Sequence, residues 1–230
     1  MKLVLFDIDG TLLRSDGAGR RAINRALLEV FGTTGPGDYW FDGKTDPQIV
    51  RDLMRSAGHE DGHIDARMRP LLERYVAYLR DELTAPDHVP RPLPGVPELL
   101  DILASRSNVI LGLLTGNIEP GARAKLEAVG INPARFRVGA FGSDHEERPS
   151  LPAVARRRTI EQLGVEVAGD AMIVIGDTPA DLTCGQAIGA RAIGVATGRY
   201  TVEQLREYQP LAVFPDLADT ARVLAAILDG

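Results

Sequence analysis

The sequence predicts an α/β fold, with a parallel sheet covered by helices on both faces and an inserted all-helical cap. Three observations support this class. From about residue 92 onward, short apolar β-rich runs alternate with helical patterns, as in successive βαβ units. The N-terminal run Leu3–Ile8 is almost continuously apolar, which suits a central strand buried on both faces. Between them, the stretch from about residue 17 to 90 contains helical patterns and no convincing strand.

The elements of the core follow in a regular order. We predict strands at Leu3–Ile8, Asn108–Leu114, Phe136–Phe141, Ala171–Ile175, Ala190–Val195 and Leu211–Phe214. The helices between and after them are predicted at Val96–Ser105, Ile118–Val129, Leu151–Leu163, Ala180–Ile188, Thr201–Tyr208 and Leu217–Leu228. Because β-helix-β connections are right-handed and join parallel strands, this order predicts a Rossmann-like sheet.

The insertion is predicted to fold as helices at Ala18–Phe31, Asp46–Ala57 and Ile64–Glu82, with Thr45 as an N-cap. The cluster Arg91-Pro92-Leu93-Pro94-Gly95 ends this block, since prolines and glycine stop helices. We therefore divide the chain into a core, residues 1–14 and 92–230, and a helical cap, residues 15–91. A cap that follows the first strand lies above the carboxyl ends of the strands, where open α/β sheets bind ligands, and can act as a lid.

Composition narrows the class of protein. The chain has 230 residues, a net charge of −6 and a pI near 5.3, with no basic stripe, which argues against nucleic acid as a partner. No apolar run reaches the length of a membrane span, and the first one is too short for a signal peptide. The single cysteine, Cys184, suits a reducing compartment and is interpreted as a packed residue. A cytoplasmic protein without membrane contact is expected, and monomeric and homodimeric forms both fit.

The first candidate site residues follow the N-terminal strand, in Asp7-Ile8-Asp9-Gly10-Thr11. Strand residues two apart point to the same side, so the two carboxylates converge if the strand geometry persists through them. Two close carboxylates repel each other unless a cation or a shared proton relieves them, and Mg²⁺ prefers such oxygen ligands. Gly10 permits a close backbone approach or a positive φ. An ordinary Asp-rich turn is the alternative.

Two further motifs follow later strands. Thr115-Gly116-Asn117 places a hydroxyl, a flexible backbone and an amide before a helix N-terminus, which favours an anion. Gly176-Asp177-Thr178-Pro179-Ala180-Asp181 again puts carboxylates after a buried strand, with Asp181 one helical turn beyond Asp177. Helix capping explains each motif taken alone, but it does not explain why acidic residues follow two different strands.

The three motifs, in this order, resemble those of the haloacid dehalogenase superfamily of phosphohydrolases, and most closely its phosphoglycolate-phosphatase-like group with a helical C1 cap. The resemblance covers the whole chain. It implies a Mg²⁺-dependent phosphatase acting on a small phosphorylated metabolite similar to phosphoglycolate. Its implied reaction passes through an aspartyl-phosphate, for which a carboxylate nucleophile and charge-neutralising groups are suitable.

The resemblance also implies roles for individual residues. Asp7 is the implied nucleophile, and Asp9 the implied general acid and base, whose backbone carbonyl also binds Mg²⁺. Thr115 with the neighbouring amides of Gly116 and Asn117, together with Gly10 and Thr11, corresponds to the part that binds phosphate and substrate. The implied metal ligands are Asp7, Asp9, Asp177 and Asp181.

One motif departs from the family pattern. The family has a lysine, often before proline, where this chain has Arg148-Pro149, and no lysine follows Lys125. Arginine binds phosphate through two parallel hydrogen bonds and does not simply copy lysine. We predict Arg148 as the catalytic cation, with Arg156 or Arg157 as alternatives. In the cap, Lys44 is predicted to bind a substrate carboxylate or second phosphate, with Arg20, Arg21 and Tyr39 as weaker candidates.

Several alternatives remain at this point. A phosphosugar mutase of the β-phosphoglucomutase kind shares the aspartyl-phosphate chemistry. A haloacid dehalogenase is disfavoured, because attack on carbon does not need Asp9 and Asp177. A phosphorylatable receiver module also clusters acids over a parallel sheet, but it has no large helical insertion after its first strand.

Overall fold

The computed structural model describes residues 1–229. Its first strand, β1, spans Lys2–Phe6 and is followed by a short strand β2, Leu13–Arg14. The helices of the insertion are α1 (Ala18–Phe31), α2 (Asp46–Ser56) and α3 (Asp61–Leu83), and a second short strand, β3 (Arg91–Pro92), follows them. The remaining elements are α4 (Val96–Ala104), β4 (Val109–Thr115), α5 (Glu119–Ala128), β5 (Val138–Phe141), α6 (Leu151–Leu163), β6 (Met172–Gly176), α7 (Pro179–Cys184), β7 (Arg191–Val195), α8 (Val202–Arg206), β8 (Ala212–Phe214) and α9 (Thr220–Asp229).

The core is a six-stranded parallel sheet in the order β5-β4-β1-β6-β7-β8, with helices on both faces. Strand β1 lies between β4 and β6, so that Leu5 is opposite Gly112 on one side and Val174 on the other. Residues 3–6 of β1 are fully buried, as expected for a strand with neighbours on both edges and helices on both faces. The predicted fold class is confirmed.

The helical insertion has an apolar core of its own. Helix α1 buries Ala22, Ile23 and Leu27, while α3 contributes Leu71 and Tyr75. Truncating one of these fully buried leucines to alanine would cost about 2–5 kcal/mol of stability, because the loss of transfer free energy is joined by that of a cavity. The cap therefore folds around an apolar cluster that is mostly its own, and Ile118, which precedes α5, joins this cluster to the core domain.

Several boundaries differ from the prediction. Strand β1 ends at Phe6, not Ile8, so that Asp7 and Asp9 lie in a loop rather than in a strand. The strand predicted from Phe136 begins at Val138, because Asn132 caps a short 3₁₀ turn at Pro133–Arg135 first. The helix predicted over Ala180–Ile188 ends at Cys184 and continues as a 3₁₀ turn at Gln186–Ile188.

The boundary between core and cap contains an unpredicted feature. Strands β2 and β3 pair antiparallel, with Leu13 opposite Pro92 and Arg14 opposite Arg91. The chain thus leaves the core and returns to it through one two-stranded ribbon. The domain limits at residues 14/15 and 91/92 remain a prediction. Within residues 1–229, no helix combines the length and apolarity needed to cross a membrane.

Candidate active site

Three buried acids meet at the carboxyl end of the sheet. Asp7 follows β1, Asp177 follows β6, and Asp181 lies in the first turn of α7. One carboxylate oxygen from each residue lies within 4.8 Å of the others. Since all three side chains are buried, their mutual repulsion is not screened by water. The fold therefore brings together acids that are far apart in the sequence, since Asp7 and Asp181 are separated by 174 positions.

Asp181 is held by the helix that carries it. Thr178 caps α7, and Asp181 Oδ2 accepts hydrogen bonds from the Thr178 backbone N–H at 3.0 Å and from its hydroxyl at 2.7 Å. This capping box fixes one oxygen of the carboxylate. The other oxygen, Oδ1, faces Arg148. One oxygen of the Asp181 carboxylate thus stabilises the start of the helix, and the other pairs with Arg148.

Glycines leave room for the acids. Gly10 has φ +80°, and a Cβ atom built there would lie 2.5 Å from Asp177 Oδ2. A Cβ at Gly198 would overlap the same carboxylate. Thr11, which is fully buried, donates to Asp177 Oδ1 at 3.4 Å. Gly10 and Thr11 thus pack against Asp177, and neither is among the described residues that line the cavity; their contact with phosphate stays a prediction.

Arg148 lies between two of the acids. It begins a 3₁₀ turn before α6 and is only 4% exposed. Its Nη2 atom lies 3.1 Å from Asp7 Oδ1 and also donates to Asp181 Oδ1. Its Nε atom is buried without a hydrogen-bond partner in the described part of the chain. The guanidinium therefore compensates two buried carboxylates and keeps one donor unused.

The other arginines of this helix lie elsewhere. Arg157 is exposed and pairs with Glu161 at 3.6 Å. Arg158 donates to both carboxylate oxygens of Asp144, at 2.6 and 2.7 Å, and to the Gly139 carbonyl. It fixes the loop between β5 and α6. Of these residues, Arg148 is the one that reaches Asp7.

The electrostatics of the cluster indicate a missing positive charge. Burial, opposed by Arg148 and reinforced by Asp181 and Asp9, raises the pKa of Asp7 to about 6. Burial and the charges of Asp181 and Asp7 raise the pKa of Asp177 well above its usual range. One guanidinium does not offset three carboxylates. A hard divalent cation with oxygen ligands, such as Mg²⁺, fits this donor set.

The Asp9 side chain points to different partners. Its Oδ2 atom accepts hydrogen bonds from Lys125 Nζ at 2.6 Å and Asn117 Nδ2 at 2.8 Å, and its Oδ1 atom accepts one from Ser15 at 3.2 Å. Desolvation alone would raise the pKa of Asp9, but Lys125, Asn117 and Ser15 outweigh it, so the pKa lies below its ordinary value. The carboxylate of Asp9 is thus outside the three-acid cluster; its backbone carbonyl remains its predicted metal contact.

The Thr115-Gly116-Asn117 motif forms one wall of a cavity. Thr115 ends β4 and is fully buried, and its hydroxyl accepts a hydrogen bond from Asn117 Nδ2 at 2.9 Å. All three residues line the cavity, together with Asp7, Asp9, Arg148 and Asp177. The cavity measures about 240 Å³. Residues from three separate strand ends therefore line one cavity.

The cap forms the opposite wall and is seated on the core. The Thr45 hydroxyl donates to the Glu146 carbonyl at 2.6 Å, and Arg51 donates to the Glu146 carboxylate at 2.6 Å. The Asp46 backbone N–H donates to the Gly116 carbonyl at 2.8 Å, while the Asp46 carboxylate accepts from the Ile118 N–H at 2.9 Å. These contacts close the cavity over the motif that follows β4.

The cationic candidates of the cap differ in their surroundings. Lys44 lines the cavity, but its ammonium pairs with Asp52 at 3.2 Å and donates to the Tyr39 hydroxyl, which itself donates to Asp52. Arg21 pairs with Glu82 at 2.6 Å. Arg20 lines the cavity, stacks on the Phe41 ring at 3.9 Å and, within residues 1–229, forms no ion pair. Arg20 is therefore the cation of the cap wall with an uncompensated charge.

Lys125 is a site residue that the motifs did not identify. It lies on α5, is 4% exposed, and lines the cavity. A signal was present, since Lys125 falls between Ala122 and Leu126 on the buried face of the helix. A lysine on an apolar stripe is buried only when its charge is paired. The sequence pattern does not identify the partners of Lys125, because these residues lie on other elements of the fold.

Comparison with known proteins identifies the family of the chain. The family model for haloacid dehalogenase-like hydrolases matches residues 4–186, and the chain belongs to this family of hydrolases. The predicted resemblance, including that to the phosphoglycolate-phosphatase-like group, is confirmed.

Individual relatives span almost the whole chain. A phosphoglycolate phosphatase of Rhodospirillum rubrum is 31% identical over 94% of this chain and 88% of its own length. A 5'-nucleotidase of Pseudomonas aeruginosa is 26% identical, over 96% of this chain and 94% of its own. The crystal structure of a hydrolase from Pseudomonas syringae has the same fold, with a TM-score of 0.74, 22% identity and 99% coverage of both chains. The similarity thus includes both the core and the cap.

Proposed function

We propose that this protein is a Mg²⁺-dependent phosphatase that hydrolyses a small phosphorylated metabolite, similar to phosphoglycolate, in the cytoplasm. One observation carries the proposal. Asp7, Asp177 and Asp181 form a buried triad whose charge Arg148 offsets only in part, and this triad borders a small cavity that contains hydrogen-bond donors. A carboxylate nucleophile beside positive charge suits attack on a phosphate ester.

The first half of the reaction forms a covalent intermediate. A carboxylate oxygen of Asp7 attacks phosphorus, the ester P–O bond breaks, and an aspartyl-phosphate remains on Asp7. The leaving oxygen takes a proton from Asp9, so this step requires Asp9 to be protonated when the substrate binds, although Lys125, Asn117 and Ser15 lower its pKa in the free protein. Arg148, 3.1 Å from Asp7, lies where the charge of the phosphoryl oxygens increases, and such preorganised charges provide much of the rate enhancement in phosphoryl transfer.

The second half regenerates the enzyme. Asp9 takes a proton from water, the water oxygen attacks phosphorus, and the bond between phosphorus and the Asp7 oxygen breaks. Inorganic phosphate and the free carboxylate result. Thr115, Gly116 and Asn117 are the proposed phosphate-binding residues throughout, because they line the same cavity as Asp7. Gly10 and Thr11 are proposed to support this part of the site from behind Asp177.

The proposed metal ligands are Asp7, Asp177, Asp181 and the backbone carbonyl of Asp9. When bound, Mg²⁺ supplies positive charge that lowers the repulsion between an anionic nucleophile and an anionic substrate. The raised pKa values of Asp7 and Asp177 support this assignment, since they reflect carboxylates that lack a counter-charge.

The size and charge of the cavity support a small substrate. Its volume of about 240 Å³ is below the range of roughly 300–1,000 Å³ typical of sites for drug-sized ligands. Arg20 and Lys44 on the cap wall are suited to a carboxylate on the leaving group.

A phosphate-release assay tests the proposal. The panel contains 2-phosphoglycolate, a nucleoside 5'-monophosphate and a hexose 1-phosphate, each with Mg²⁺ and with EDTA. We expect release that depends on Mg²⁺ and is fastest for the smallest esters. Asp7→Asn should lower the rate by several orders of magnitude, because the covalent route is lost. Asp87→Asn, an exposed acid of the cap, is the matched control and should keep the wild-type rate.

Three results would count against the proposal. Full phosphate release by Asp7→Asn would exclude the covalent route through this residue. Halide release from a haloacid in the absence of Mg²⁺ would favour a dehalogenase. Isomerisation of the hexose 1-phosphate would favour a mutase.

A further inference from the structure

A buried lysine holds the proposed general acid. Lys125 Nζ donates to Asp9 Oδ2 at 2.6 Å and to Asn117 Oδ1 at 2.6 Å. Asn117 Nδ2 donates to the same Asp9 oxygen at 2.8 Å. Lys125 and Asn117 thus bind each other and converge on one atom. This triangle joins α5, the end of β4 and the loop after β1.

The fold does not require a lysine at this position. The neighbours of Lys125 on the buried face of α5 are Ala122 and Leu126, so that an apolar side chain would suit the packing. Burying an ammonium is unfavourable unless close partners compensate its charge. Both residues that bind this ammonium line the cavity. The burial of Lys125 is therefore explained by its contacts with site residues and not by the packing of the core.

We propose that Lys125 is a positioning residue that fixes the carboxylate of Asp9 for proton transfer; this rests on the proposed phosphatase function. Lys125 and Asn117 saturate Oδ2, while Oδ1 has only the longer hydrogen bond from Ser15, at 3.2 Å. Oδ1 is then the oxygen that exchanges a proton with the leaving group and with water. Arg148 has a separate task, because its contacts are with Asp7 and Asp181.

The cap completes this arrangement. A Cβ atom built at Gly19 of α1 would lie 3.2 Å from Lys125 Nζ and 3.8 Å from the hydroxyl of Tyr75 on α3, so two of the three cap helices lie close to the ammonium. Ser15, at the start of the cap, supplies the third donor to Asp9. The lysine is enclosed, and Asp9 is held by three donors, when the cap is seated on the core.

Substrates with different leaving groups test this role. Ethyl phosphate needs protonation of its leaving alkoxide, whereas p-nitrophenolate leaves without it. For Lys125→Met we expect kcat/KM to fall about 10- to 100-fold for ethyl phosphate, as for the loss of other outer-shell partners. For p-nitrophenyl phosphate we expect a fall of less than about 3-fold, because the first step no longer depends on Asp9. Lys125→Gln, which keeps one donor, should lie between Lys125→Met and the wild type.

Arg123→Met is the matched control, since Arg123 lies on the same helix, is exposed and pairs only with Glu119 among the described residues. It should leave both rates unchanged. Melting temperatures of all variants separate a folding defect from a catalytic one. An equal loss on both substrates, or no loss on either, would overturn the positioning role.

Crystal structures of the wild type and of Lys125→Met provide a second readout that does not depend on activity. We expect the Asp9 side chain to change rotamer in the variant. An unchanged Asp9 carboxylate would refute the inference whatever the rates are. Wild-type inactivity on both esters would instead refute the proposed function, so the two failures are distinguishable.

Discussion

The core wall and the cap wall of the cavity are built in different ways. On the core side, Asp7, Asp177 and Arg148 are buried, and each lies next to a strand or helix end that fixes its backbone. On the cap side, Arg20, Lys44 and their neighbours are partly exposed and are held mainly by contacts within the cap. From this difference we expect the core wall to perform the chemistry and the cap wall to select the substrate.

The largest effect is expected on the core wall, at Arg148. Arg148→Met removes the cation that touches Asp7 and Asp181, and it leaves two buried carboxylates less compensated. We expect kcat for phosphate release to fall on the order of 10²–10³-fold, as for the loss of one preorganised donor. Steady-state kinetics with saturating Mg²⁺ measures this.

Arg157→Met is the control for Arg148, because Arg157 is an exposed arginine of the next helix, paired with Glu161. It should keep the wild-type kcat. A large loss of kcat in Arg157→Met, together with normal kinetics in Arg148→Met, would make Arg157 the catalytic cation instead of Arg148. The buried core wall would then not supply this cation.

The contact between the walls can be broken at Gly116. A Cβ atom there would overlap the Lys44 carbonyl of the cap, although Gly116 belongs to the core. Gly116→Ala should therefore hold the cap away from the core and lower kcat/KM about 100-fold, since small misplacements of this kind have such effects. Gly37→Ala, where an added Cβ meets no atom within 4 Å, is the control. A normal rate for Gly116→Ala would show that a seated cap is unnecessary.

The sequence could predict the core wall because its residues follow strands. Asp7, Thr115 and Asp177 each come directly after an apolar run, or at its end, and parallel strands bring their carboxyl ends to one edge. The parallel sheet was predicted from the alternation of apolar runs and helical patterns, and the cap from a stretch of helical patterns without a strand. Arg148 was one of three candidates, because a loop and a helix start do not reveal which arginine turns inward.

The cap wall could not be predicted in the same way. Gly19, Asp46 and Tyr75 lie on three different helices, and their approach to Lys125 depends on how the cap sits on the sheet. No spacing in the sequence encodes that tertiary arrangement. Lys44 was predicted as a cation for the substrate, but its pairing with Asp52 and Tyr39 depends on side-chain packing. Local patterns locate strand ends more readily than contacts between domains.

A smaller effect is expected for the substitution of Asp46, which should change the free energy of unfolding in a pH-dependent way. Burial, opposed by Lys125 and the Ile118 N–H, raises the pKa of Asp46 to about 6, against 3.8 for the ordinary group. A raised pKa means that the native state binds the proton more tightly than the unfolded state. The resulting penalty on stability is absent below the unfolded pKa and complete above the folded one.

Asp46→Asn removes this penalty and can still accept the hydrogen bond from Ile118. Relative to the wild type, its free energy of unfolding should rise by about 2 kcal/mol between pH 4.5 and pH 7.5. Urea unfolding at both values measures the difference. Asp87→Asn, an exposed acid of the cap, should show no such trend. A constant difference for Asp46→Asn would mean that the carboxylate is compensated in the folded protein.

The smallest effect is expected for substrate selection at Arg20. Its guanidinium lines the cavity, stacks on Phe41 and donates to the Tyr39 carbonyl at 2.9 Å, with no ion pair among residues 1–229. Arg20→Met should raise KM for 2-phosphoglycolate about 10-fold, equivalent to about 1.4 kcal/mol, because the substrate carboxylate loses its cation. KM for ethyl phosphate, which has a methyl group in place of the carboxylate, should not change. Arg20→Lys should recover part of the lost affinity. If Arg20→Met raised both KM values equally, Arg20 would support the shape of the cap instead of reading the leaving group, and specificity would belong to the core wall as well.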